Sequence, residues 1–137
     1  MGEDVVLENV IKKEYPRSGE IYVATAMQYG AASTIYAQVV SRPPTCDVCH
    51  GVHFILVFDS YGLLRYFEPL HLTKFGNVKW STYDADSMRR RIIGLDVRYP
   101  FSYDPGVDSV TMATMTSALI LNSVQRLQDV FNEINGQ

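Results

Sequence analysis

Apolar positions along the chain follow two periods, and the changes between them mark out the elements. Val6, Leu7, Val10 and Ile11 fall at helical spacing, which predicts a helix from Val5 to Tyr15, stopped by the Tyr15-Pro16 step. Glu20 to Tyr29 and Ser33 to Ser41 are rich in Ile, Val, Thr and Tyr with Gly30 between them, which predicts two strands joined by a short turn. Pro43-Pro44 breaks the second strand. Val52 to Phe58 is a strong strand pattern, Asp59-Ser60-Tyr61-Gly62 a turn, and Leu63 to Pro69 the returning strand. Leu70 to Val78, with Thr73-Lys74-Phe75-Gly76-Asn77 inside it, reads as a loop.

Helical spacing returns after that loop. Ser81 has the character of an N-cap, with Asp84 three residues on and Met88, Ile92 and Ile93 following, so a helix is expected to run to about Gly94. Asp96 to Val107, with Pro100 and Pro105, reads as an irregular connector. The longest periodic segment then places Leu119 or Ile120, Val124, Leu127, Phe131 and Ile134 in steps of three and four, up to Asn135-Gly136. The expected class is α+β: an antiparallel β-sheet flanked by helices, in the order α, β, α, ending in a long C-terminal helix.

Composition narrows the class of function. The chain has 137 residues, enough for one domain with its own core and no disulfide framework. It is 47% hydrophobic and 20% charged, which excludes a disordered tail. A net charge of −3 argues against a nucleic-acid partner held through its phosphates. No apolar run approaches the ~20 residues of a membrane span. The opening Met1-Gly2-Glu3-Asp4-Val5-Val6 shows no signal-peptide pattern, so two expectations stand: a cytoplasmic protein, or an extracytoplasmic one whose leader has been removed. The first helix is expected to pack on its own core or on a second copy in a homodimer.

Two segments carry candidate chemistry. The first is Cys46-Asp47-Val48-Cys49-His50, the spacing of c-type haem attachment, with the two thiols bound to haem and His50 as iron ligand. His53, His71 or a methionine would then supply the second axial ligand. The same two thiols could instead form a redox disulfide, half of a metal site, or a pair of inert buried cysteines. Haem or disulfide would favour an exported protein. The second segment, Ser109 to Ser117, crowds three threonines and two serines ahead of the long helix. One of them as an N-cap accounts for a single hydroxyl. A cluster of hydroxyls and free N–H groups at a positive helix end is also a place for a phosphate.

This second segment resembles the signature of the FMN-binding domain family, which includes peripheral flavin subunits of sodium-pumping quinone reductases and related electron-transport complexes. Asp108, Thr111, Ala113, Thr114, Thr116 and Ser117 stand at matching places. Met112 stands where the family has glycine, which bears on whether covalent attachment survives. The resemblance extends over about residues 52–127, more weakly upstream. There Val52 to Pro69 is similar to the family's hairpin, and Thr73 and Gly76 suggest its Glu-Thr-Pro-Gly loop.

The resemblance implies an electron-transfer domain that passes electrons between redox partner proteins rather than an enzyme with its own substrate. FMN would be its cofactor, joined through a phosphoester at Thr114 in the covalent form. Phe75, Trp80 and Met112 are candidates to pack on the flavin ring, with His71 or Lys74 near the ring or phosphate. Each has a plainer reading: core packing for Phe75 and Trp80, a solvated charge for Lys74 and for the run Arg89-Arg90-Arg91. Two alternatives stay open. One is a c-type haem or dithiol module on a flavin-domain-like scaffold, built on Cys46, Cys49 and His50. The other is a non-redox binding or assembly domain. No Ser-His-Asp or paired-carboxylate spacing suggests a hydrolase.

Overall fold

The computed structural model describes residues 6–42, 52–74, 78–100, 109–110 and 113–136. Five strands form one antiparallel sheet in chain order: β1 (Val6–Tyr15), β2 (Gly19–Gln28), β3 (Ala31–Arg42), β4 (Val52–Asp59) and β5 (Leu64–His71). Two short strands, β6 (Thr73–Lys74) and β7 (Val78–Lys79), pair as a separate ribbon. Among the described residues two helices follow, α1 (Thr82–Ile92) and α2 (Thr114–Ile134). The architecture is α+β, with the longer helix C-terminal.

Strand alternation builds the core. Phe54, Leu56 and Phe58 on β4 join Ile21, Val40, Leu64 and Phe67 from neighbouring strands. Met88 and Ile92 of α1, and Ile120, Leu121, Val124, Leu127 and Val130 of α2, pack into the same cluster, so both helices cover one face of the sheet. The other face carries a smaller cluster of Ala24, Ala26, Ile35 and Val57.

Local signals explain the joints. Tyr29 (φ 51°) and Gly30 (φ 76°) both occupy the left-handed region that a two-residue hairpin turn between β2 and β3 requires. At the β4–β5 turn, buried Asp59 accepts hydrogen bonds from the N–H groups of Tyr61 (2.9 Å) and Leu63 (3.0 Å). Gly62 is needed there twice over: its φ is +89°, and a Cβ would lie 2.8 Å from Arg98 Cγ. At the start of α1, Ser81 and Asp84 form the reciprocal capping box that their spacing predicts, with Asp84 N–H donating to Ser81 Oγ at 3.2 Å and Ser81 N–H to Asp84 Oδ2 at 2.9 Å.

Three expectations are corrected. The first element is a strand, not a helix, so the order is β then α. β1 pairs with β2, but its register slips between Glu8 and Ile11, where Asn9 takes φ 55°. One extra residue at this bulge puts the alternation of Val6, Leu7, Val10 and Ile11 out of phase and makes it imitate helical spacing. The segment read as a loop starts inside β5, which runs on through His71, and then holds the β6–β7 ribbon. The arginine run is also more than a solvated face. Arg89 Nε donates to the Phe67 carbonyl (3.0 Å) and Nη1 to Asp86 (2.7 Å), while Arg91 Nη1 donates to the Ser87 carbonyl (2.7 Å).

Candidate functional site

The amphipathic pattern of the last segment places α2 across the sheet with its N-terminus beside the β6 ribbon. The N-cap is Ala113, and among the described residues no side chain caps this end; the first turn also holds no acidic residue. The leading N–H groups of a helix have no acceptor within it, so this end offers donors and a positive dipole.

Two hydroxyls of the motif hold the turn in place. The Val110 N–H donates to Ser117 Oγ at 2.9 Å, and Ser117 is fully buried. Ser117 N–H in turn donates to the Ala113 carbonyl (2.8 Å) and Ala113 N–H to the Val110 carbonyl (2.9 Å). Thr116 Oγ1 donates to the Thr73 carbonyl at 2.9 Å. That carbonyl also accepts from Trp80 Nε1 at 3.0 Å. Thr73 therefore ties the motif to the loop that the sequence singled out separately, across 43 residues.

A third hydroxyl is left over. Ser109 Oγ is buried and has no hydrogen-bond partner among the described residues. A buried polar atom without a partner costs about 1–3 kcal/mol, so this hydroxyl calls for a hydrogen-bond partner beyond the described residues.

The remaining candidates fall as follows. Ala113 is buried as N-cap, and Trp80 packs in the core with 7% exposure, its N–H satisfied. Thr114 is the first residue of α2, and Lys74 lies on β6 opposite Val78. His71 ends β5 as the partner of His53, their ring centres 6.3 Å apart. Asp108, Thr111, Met112, Phe75, Cys46, Cys49 and His50 lie outside the described residues. Sequence reasoning passed over two residues. Ser109 was legible only as one hydroxyl among five. Ser41, whose Oγ lies 2.9 Å from His53 Nδ1, gave no local signal at all.

Among the described residues, clear shifts in ionisation fall on groups outside the motif. Asp96 is held below the usual carboxylate range by its hydrogen bonds with Arg98 foremost. Burial pushes the Tyr36 phenol upward, with Tyr15 adding to it. An open groove of about 780 Å³ lies near the far end of α2, lined by Arg17, Gln38, Arg126, Asp129 and Glu133 among others, and it contains none of the residues singled out above.

Comparison with protein families, with curated proteins and with solved structures found no match.

Proposed function

We propose that this chain is an electron-carrier domain that binds FMN, with the phosphate at the N-terminus of α2. The observation that carries the reading is Ser109, a buried hydroxyl that, among the described residues, has no partner and precedes a helix end without a side-chain cap. The convergence of the motif and the β6 loop on the Thr73 carbonyl supports it. These residues fit the group: Ser109 and the leading N–H groups of α2, which have no acceptor within the helix, would take phosphate oxygens, and Thr114 would carry the phosphoester in the covalent form. Thr116 and Ser117, whose hydroxyls are engaged within the fold, position the turn rather than hold the ligand. Bound FMN supplies one- and two-electron chemistry, and the protein supplies orientation and a shielded site.

The test is quenching of FMN fluorescence on titration with the full chain. Binding that Ser109→Ala weakens at least tenfold is expected. Absent quenching, or equal binding by Ser109→Ala, contradicts the reading.

A second reading, a non-redox assembly domain, draws on β1. Val6, Val10 and Ile11 are 58%, 54% and 51% exposed on an edge strand. It expects no FMN binding, together with concentration-dependent association in sedimentation.

A further inference from the structure

We propose that His53 and His71 form a two-imidazole clamp for a divalent transition cation, with Ser41 as its positioning residue. The three side chains belong to successive strands. Ser41 on β3 is the register partner of His53 on β4, and His53 is the partner of His71 on β5. Directly opposed residues of antiparallel strands project to one side of the sheet with their Cβ atoms about 4.5–5.5 Å apart.

The pairing of the histidines depends on an irregularity. β4 and β5 run in register from Leu56–Phe67 to Phe54–Pro69, and then the register slips by one residue. Continued alternation would set Leu70 opposite His53. The slip brings His71 there instead, and bulges of this kind serve to re-aim side chains. The imidazole centres stand 6.3 Å apart with their planes tilted by 59°. Imidazole nitrogens bind such cations at about 2.0–2.1 Å, so both rings must turn toward one another to reach one ion.

Ser41 sets which nitrogen is available. Its Oγ lies 2.9 Å from His53 Nδ1. With Nδ1–H donating to Ser41 Oγ, Nε2 keeps its lone pair for the cation, as an outer hydrogen bond fixes the tautomer of ligating histidines elsewhere. His53 and Ser41 are exposed and His71 is half-buried, so an ion reaches the site from solvent. Water would complete the coordination. Imidazole pairs suit Zn²⁺, Ni²⁺ and Cu²⁺ rather than Mg²⁺ or Ca²⁺, which prefer oxygen. The site shares no residue with the start of α2, and His71 is the one residue that the flavin reading also names.

The test is a Zn²⁺ titration of the full chain against a chromophoric chelator, with Cys46 and Cys49 alkylated so that thiolates do not compete. One Zn²⁺ per chain is expected. His53→Gln and His71→Gln should each lower the affinity at least tenfold, and His50→Gln should leave it unchanged. Ser41→Ala should lower it about tenfold, in the range measured for outer-shell partners, with unaltered Tm. In the zinc-free protein it should also change the ¹⁵N signature of the His53 tautomer. The imidazole signals of both histidines should move together at the same Zn²⁺ equivalents. Absent binding, binding that survives either single substitution, or binding that follows His50 overturns the proposal.

Discussion

Ser109 and Ser117 flank the start of α2 with opposite fates. Ser117 Oγ satisfies the Val110 N–H inside the core, whereas Ser109 Oγ is buried without a partner among the described residues. Ser117→Ala is therefore expected to cost about 1–3 kcal/mol, because it strands a buried donor. Ser109→Ala should leave the ligand-free chain as stable as before or slightly more so, since the orphaned group disappears. Urea melts of both variants check this, and equal losses would contradict it. The hydroxyl cluster itself was legible in the sequence. Which hydroxyl turns inward was not, because that is set by how Val110 folds back over the first turn of α2. The Ser41–His53 contact was invisible for a similar reason, since only the register of β3 on β4 brings the two together.

Elements announced by local chemistry were legible in advance. The Ser81–Asp84 capping box and the Asp59–Gly62 turn depend on neighbours in sequence, and both stand where their spacing put them. β1 was misread because its bulge at Asn9 breaks the period on which the reading relied. Val6 to Glu14 are all exposed, so β1 is held chiefly by its ladder with β2. Its amides are expected to exchange with deuterium well before those of β4, whose Phe54, Leu56 and Phe58 are fully buried. Exchange of β1 as slow as that of β4 would mean that another surface covers it. The β1–β2 turn is pinned to α2 by Glu133, which accepts from Ser18 N–H (2.7 Å) and Arg17 N–H (3.0 Å). A hydrogen bond with the Ser18 side chain foremost, then these amide bonds, hold the Glu133 carboxyl below its usual range against an opposing effect of burial. A carboxyl lowered in the folded state stabilises fully above its unfolded pKa, and the contribution fades as pH falls through the folded value. Acidification should therefore free the Arg17 and Ser18 amides to exchange. Glu133→Gln should show fast exchange already at neutral pH and no further acid step at this turn.

At the scale of the whole molecule, α2 links the regions on which the account depends. Its buried stripe packs on the sheet, Glu133 near its end holds the β1–β2 turn, and Thr116 at its start reaches the β6 ribbon. The α+β class and the long final helix were readable from periodicity, because a stripe sustained over 21 residues outweighs local noise. The convergence of the motif with the loop at Thr73 was not readable from periodicity, since it joins positions that no local pattern relates. Among the described residues no helix is long and apolar enough to cross a membrane. The central claim is that the start of α2 receives FMN. It is tested most directly by the visible spectrum of the full chain matured with FMN and a flavin transferase, taken after acid precipitation. The account predicts a yellow protein with flavin absorption bands that Thr114→Ala abolishes. A colourless wild-type chain that also fails to quench FMN fluorescence would contradict it.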